Sequence, residues 1–267
     1  MRLRIDLAYD GTEFHGWATQ PGLRTVQATL EEWIGKVLRL AGPHTLVVAG
    51  RTDAGVHARR QTCHADLDLD EDPSATLLRR LRRVLPDDIA VRDVTPAPEG
   101  FDARFSAIWR RYCYRLTDGV ADPLLRGHIT PSREPIDVGA LNAATELLIG
   151  LRDFAAFCRP RQGATTIRDL RELSATRRPD GVIEVHLLAD AFCHSMVRSL
   201  MGALTAVAAG RRSLSWLEEV AASSVRHGEV QVMPARGLTL EEVGYPPDDE
   251  LAARATAARA MRTLETS

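Results

Sequence analysis

The chain has 267 residues, 45% of them hydrophobic and 26% charged. At this length a folded chain removes roughly three quarters of its unfolded surface from water, which excludes a disordered segment or a miniature scaffold propped by disulfides or metals. Basic and acidic residues number 34 and 36, a net charge of −2, so whole-molecule charge does not advertise nucleic acid.

Lys36 is the only lysine, which leaves 33 arginines. Each offers a planar fork of donors suited to phosphates, carboxylates and stacking on bases, so local patches can bind RNA despite the acidic total. Cys63, Cys113, Cys158 and Cys193 are widely spaced and form no CxxC. They predict neither a zinc site nor a disulfide framework, and read as small buried residues of a reducing compartment.

In chain order, the opening MRLRIDLAYD alternates charged and apolar side chains and reads as a strand, not a signal peptide. Leu3, Ile5, Leu7 and Tyr9 share its face and Asp10-Gly11 ends it. Thr25 predicts an N-cap, followed by a helix on Val26, Leu30, Ile34, Val37 and Leu38 that Gly42-Pro43 stops. Thr45–Ala49 is a short strand that empties into GRTDAG, and extended structure resumes over Gln61–Leu67. Leu77, Leu78, Leu81, Val84 and Leu85 fall at helical spacing, with Arg79, Arg80, Arg82 and Arg83 on the remaining face. This basic face reads either as a solvated surface, neutralised by Asp68–Asp72, or as an RNA contact.

A Pro-rich connection, Thr95–Pro98, leads to a second half: a strand over Tyr112–Leu116, a helix over Asp137–Leu148 and a hairpin of Ile167–Thr176 with Val182–Leu188 about Pro179-Asp180-Gly181. Helices follow over His194–Ala208 and Ser215–Ser223, the second opened by a capping box of Ser215 and Glu218. The tail from Pro246 predicts a peripheral helix or fraying end. The longest weakly polar run, Leu200–Ala209, is far short of the roughly 20 apolar residues that span a membrane, so the sequence predicts a cytoplasmic protein with no membrane partner.

The segment Gly50-Arg51-Thr52-Asp53-Ala54-Gly55-Val56-His57 places an acid between glycines at a strand end, where backbone can approach a ligand closely. Asp53 reads either as an Asx turn or as a nucleophile, and Arg51 either as a surface residue or as the cation that keeps it ionised. His57 and His64 lack a third ligand of matching spacing, so no metal is expected. Tyr9-Asp10-Gly11 with Phe14, Gly16 and Trp17 is an apolar plug or a stacking surface. Arg110-Arg111-Tyr112-Cys113-Tyr114 interleaves cations and aromatics, with both tyrosines on one strand face and Arg111 on the other. Arg198 lies in an apolar helical stretch, where it either snorkels or needs a carboxylate partner.

Together these residues resemble the TruA class of tRNA pseudouridine synthases, from about Arg2 to Tyr245. The resemblance rests on Tyr9-Asp10-Gly11 through Gly16-Trp17, the Gly50–His57 loop, Leu85-Pro86-Asp87-Asp88-Ile89, Phe101–Ala107, Arg111–Tyr114, Met196-Val197-Arg198 with Gly202, and Pro234 with Gly237-Leu238, in that order. Ala18, Arg82 and Thr239 depart from the family pattern, away from Asp53, Arg51, Tyr112 and Arg198.

The resemblance implies an α/β (α+β) fold of two RRM/ferredoxin-like domains with mostly antiparallel sheets and an active cleft between them: 1–105, 106–245, then a tail over 246–267. It implies a homodimer without cofactor or metal that converts uridine to pseudouridine at positions 38, 39 and 40 of the tRNA anticodon stem-loop. Asp53 is then the essential carboxylate, attacking C1′ or C6 or acting through a glycal. Tyr112 stacks on the flipped uracil, Arg198 pairs with Asp53, Arg51 stabilises the flipped-out state and Leu238 pads the pocket. Arg79, Arg80, Arg83, Arg110 and Arg111 are the expected phosphate contacts. Two other classes remain distinguishable: an RNA-binding module, which has no use for Asp53, and a hydrolase, which needs a second carboxylate about 5 to 10 Å away, Asp10 being the candidate.

Overall fold

Leu3, Ile5, Leu7 and Tyr9 alternate along β1 (Arg2–Tyr9), and all four are buried, as the inner face of a strand over a core must be. The computed structural model describes residues 1–161 and 163–259. It builds a mixed α/β protein of ten mostly antiparallel strands and, among the described residues, six helices. The chain divides into two compact units.

The first unit holds Met1–Ile108 and residues 240–259. Here α1 (Val26–Leu38) turns Val26, Leu30 and Ile34 inward, and Thr25 caps it by accepting the Ala28 N–H. It stops at Arg39, which takes the left-handed conformation at φ 53° and donates its N–H to the Gly35 carbonyl. Gly42-Pro43, expected to end the helix, lies beyond that point. β2 (Leu46–Val48) pairs with β3 (His57–Asp66), which also pairs with β1, Ile5 facing Cys63. β3 begins at His57, four residues before the extended run read from sequence. α2 (Ser74–Val84) buries Leu77 and Leu81, and packs on α1 and on β4 (Ile89–Pro96), a strand not expected from the sequence, whose last two residues overlap the Thr95–Pro98 connection. The strand order is β4-β1-β3-β10, where β10 is Leu238–Gly244. That pairing draws the chain back into the first unit at Leu240, ahead of residue 245. α6 (Leu251–Ala257) follows, burying Leu251 with Phe101 and Ala103. Of the tail, residues 260–267 lie outside the described residues.

The second unit, within Trp109–Thr239, has the strand order β5 (Trp109–Thr117), β9 (Ile183–Ala189), β8 (Ile167–Arg177), β7 (Gly150–Asp153), with β6 (Thr130–Pro131) parallel to β5. α3 (Val138–Glu146) packs on β8 and on α4 (Met196–Ala208), the most deeply buried helix. α5 (Leu214–Ala221) is capped by Ser213, whose hydroxyl accepts the Trp216 N–H at 3.1 Å. The expected capping box on Ser215 does not form, because Ser215 already lies inside the first turn and shares a hydrogen bond with Ser213 Oγ. Cys158 and Cys193 form a disulfide with Cα atoms 5.8 Å apart, a pairing the sequence did not lead one to expect. The turn before β8 and the connector before α4 bring together cysteines 35 residues apart, which spacing alone does not reveal. Cys63 and Cys113 are buried thiols. Among the described residues no helix is long and apolar enough to cross a membrane.

Candidate active site

Asp53 sits in a tight turn between β2 and β3 that closes through Val56 N–H to the Asp53 carbonyl at 3.1 Å. Gly55 occupies its third position at φ +76°, a conformation that side chains resist. The turn is propped from two directions. The Trp17 and Gly55 amides pair with the Thr52 and Phe14 carbonyls at 3.0 and 3.2 Å, which binds it to the Gly11–Trp17 segment. From below, the buried Tyr9 hydroxyl meets Thr52 Oγ1 at 2.8 Å and accepts from Gln61 Nε2 at 3.2 Å, while the same amide group donates to the Gly50 carbonyl at 2.9 Å. Burial pushes the Tyr9 hydroxyl up to about 12, so it stays a neutral partner across the working range. Asp53 is half-buried and Arg51 exposed. The aromatic pair Tyr9 and Trp17, 6.1 Å between centroids, is therefore the prop of the acidic turn and not a stacking surface.

His57 and His64 are both buried, and each is used within the first unit. His57 Nδ1 lies 3.0 Å from the Gly11 amide and 3.0 Å from Asp10 Oδ1. His64 Nδ1 accepts the Ala103 N–H at 3.0 Å, and burial lowers its pKa. Asp10 Oδ1 also accepts from the Thr12 amide and hydroxyl, the arrangement of a local turn and not of a freely aimed general acid.

On the second unit, Tyr112 lies in β5 opposite Leu187 of β9 and is 7% exposed. Strand alternation puts Arg110 on the same inward side, where it is buried and its guanidinium donates to the Asp190 carbonyl at 2.7 Å. Arg110 is thus tied to the interior of the unit on the same strand face as Tyr112. Arg111 is half-buried, its guanidinium 5.0 Å over the Trp109 ring. Arg198 is the one residue of α4 that is not buried. It is clasped to the strand-free segment beyond α5: Arg198 Nε donates to the Met233 carbonyl at 2.7 Å and the Met233 amide donates back to the Arg198 carbonyl at 3.1 Å. Gly202, one turn on, permits this approach, since a Cβ there would fall 1.7 Å from the Gln231 carbonyl oxygen.

The clasped segment leads through a helical turn at Ala235–Gly237 to the buried Leu238. Tyr114 fixes it by donating to the Pro234 carbonyl at 3.0 Å and sharing a bond with Thr130 Oγ1 at 2.8 Å. Burial raises Tyr114 to about 12 against the pull of the Thr130 bond and of the Arg198 and Arg236 charges. Arg198, Tyr114 and the Pro234–Leu238 segment therefore form one assembly. Sequence reading separated them, for only the Gly-Leu pair and the lone Arg hinted at it.

On α2, Arg79, Arg80 and Arg83 are exposed. Arg80 Nη1 reaches the Val37 carbonyl at the end of α1 at 3.2 Å. Arg82 donates to the Val91 and Arg92 carbonyls and so fastens the helix to β4.

Comparison with known proteins gives the following similarities. The sequence model of the family described as tRNA pseudouridine synthase matches residues 144–246. A protein of Cutibacterium acnes named tRNA pseudouridine synthase A is 60% identical over 266 residues, covering 98% of this chain and 95% of that protein. Proteins of the same name from Streptomyces avermitilis and Frankia casuarinae are 55% and 53% identical, covering 99% and 98% of this chain and 95% and 96% of theirs.

Proposed function

Because the chain belongs to the tRNA pseudouridine synthase A family, we propose that it isomerises uridine to pseudouridine in tRNA, with Asp53 as the essential carboxylate. The observation that carries this reading is the doubly propped turn that presents Asp53. The reaction breaks the N1–C1′ bond, turns the freed uracil and joins C5 to C1′. The proton leaves C5, and N1 ends protonated. The target base must first leave its stack. Asp53 attacks C1′ or C6, or removes a sugar proton on the way to a glycal.

The remaining roles follow the resemblance. Tyr112 stacks on the extruded uracil and its hydroxyl takes part in the loss of the C5 proton. Arg198 is the counter-cation of Asp53, consistent with the Met233 clasp, which fixes its guanidinium stem. Arg51, exposed beside the turn, holds the flipped-out nucleotide, and Leu238 pads the uracil. Arg79, Arg80, Arg83 and Arg111 contact phosphates, which makes affinity fall with salt. We assign positions 38, 39 and 40 of the anticodon stem-loop as targets, in the cytoplasm, by a homodimer that needs neither cofactor nor metal.

Tritium release from tRNA transcripts labelled at uracil C5 tests the reading. The native protein releases label with or without EDTA, and Asp53→Ala releases none. A native protein that binds tRNA but frees no tritium from any transcript would overturn it in favour of a binding module.

A further inference from the structure

We infer that Phe192 is a positioning residue for the reaction, holding the Tyr112 ring at the angle from which it meets the uracil. This inference rests on the role proposed for Tyr112. The Phe192 and Tyr112 rings meet edge to face, with centroids 5.1 Å apart and planes at 85°. A half-buried phenylalanine in that geometry blocks rotation of the tyrosine about its terminal torsion, the soft degree of freedom of an aromatic side chain. Tyr112 needs such a stop, because a ring that stacks on a mobile base gains only if its plane is set before the base arrives.

Phe192 is itself held. It lies in the connector between β9 and α4, a stretch without secondary structure that is nonetheless pinned on both sides of the ring. Before it, the Asp190 carbonyl accepts from Arg110, the Asp190 amide donates to the Asp169 carbonyl at 3.2 Å, and Asp190 Oδ1 accepts the Asp169 amide at 2.8 Å. After it, Cys193 is bonded to Cys158, and the His194 carbonyl accepts the Arg159 amide at 3.1 Å. Ser195 then turns through the left-handed region at φ 63° into α4, whose third residue is Arg198. One anchored connector thus sets the ring against Tyr112 and the start of the helix that carries Arg198.

The test is steady-state tritium release from a C5-labelled tRNA transcript by Phe192→Ala, Phe192→Leu and Phe192→Tyr, with thermal denaturation of each. An edge-to-face contact of ordinary strength predicts that Phe192→Ala loses about three- to tenfold in kcat, with KM for tRNA within about twofold of native. Phe192→Tyr, which keeps the ring, restores most of the rate. Phe192→Leu, which keeps the apolar volume without the aromatic ring, stays folded and remains slow.

The inference is overturned if Phe192→Leu matches the native kcat or if the loss appears in KM alone. Tyr112→Ala separates the two levels. Full activity in Tyr112→Ala removes the role of Tyr112 itself, whereas an inactive Tyr112→Ala beside a native-like Phe192→Ala removes only the role of Phe192.

Discussion

Replacing Tyr9 by Phe deletes one oxygen from the interior of the first unit and leaves the ring in place. That oxygen is 2.8 Å from Thr52 Oγ1 and 3.2 Å from Gln61 Nε2, with Tyr9 4%, Thr52 7% and Gln61 0% exposed. Gln61 keeps its bond to the Gly50 carbonyl, so the main casualty is the Thr52 hydroxyl. Losing a net hydrogen bond and orphaning a buried hydroxyl together cost about 2 kcal/mol. Amide hydrogen exchange of Trp17 and Val56, whose N–H groups close the Asp53 turn, should accelerate by about 30-fold, the equivalent of that energy. Because Asp53 follows Thr52 directly, kcat for tritium release should fall about tenfold. Adding Thr52→Val to Tyr9→Phe removes the orphan and recovers about 1 kcal/mol. The titration gives a second readout. An unfolded tyrosine ionises near its ordinary 10.0 and Tyr9 in the fold at about 12, so between those values the unfolded chain has released a proton that the native state retains. Stability therefore falls as pH rises through this window, and the Tyr9 share of that fall vanishes in Tyr9→Phe. A Tyr9→Phe protein less than about 0.5 kcal/mol weaker than native, or one that Thr52→Val weakens by a further full increment, would refute the account of the propped turn.

Asp118 is held from the usual 3.8 down to about 2 by its paired bonds with Arg177 at 2.6 and 3.0 Å and by the Ile136 amide. Its contribution is complete above the unfolded value and disappears as pH falls from about 4 to about 2, so acid denaturation curves of native and Asp118→Asn protein should converge there. Thiol titration in denaturant should find two thiols before reduction and four after it. Opening the Cys158–Cys193 bond, which spans 35 residues, should cost about 4 kcal/mol on the chain-entropy model and lower the melting temperature by roughly 10 °C; four thiols without reductant would refute the pairing. Gly202→Ala forces a methyl to 1.7 Å from the Gln231 carbonyl oxygen, where backbone faces backbone. It should cost about 3 kcal/mol or more by calorimetry, and a melting curve like the native one would show that the Arg198 clasp does not depend on this close approach.

Elements whose own residues dictate them were legible from the sequence. The alternation of Leu3 to Tyr9, the cap at Thr25 and the amphipathic spacing of Leu77 and Leu81 each carry a local physical signal. The strands that were missed lack one. β4 mixes Arg92 and Asp93 into a strand whose inward residues are only Ile89, Val91 and Val94, and it exists because β1 offers it a partner. β10 is likewise fixed by neighbouring strands and not by its own Leu-Thr-Leu-Glu-Glu pattern. The Cys158–Cys193 pair depends on the same kind of distant juxtaposition.

The candidate site divides along the same line. The turn that carries Asp53 was legible because glycines around an acid at a strand end constrain the backbone, and the direction of Tyr112 because alternation along β5 gives it, whereas the roles proposed for both rest on the family resemblance. The same alternation turns Arg110 inward with Tyr112 and Tyr114. Arg198 stood out as a charge in an apolar helix, but its clasp to Met233 needed Gly202 and a segment more than 30 residues away. Phe192 carried no signal at all: one aromatic in a connector is unremarkable until the fold lays its edge on Tyr112. Residues that touch substrate are marked by their own chemistry, whereas residues that aim them are marked only by their neighbours.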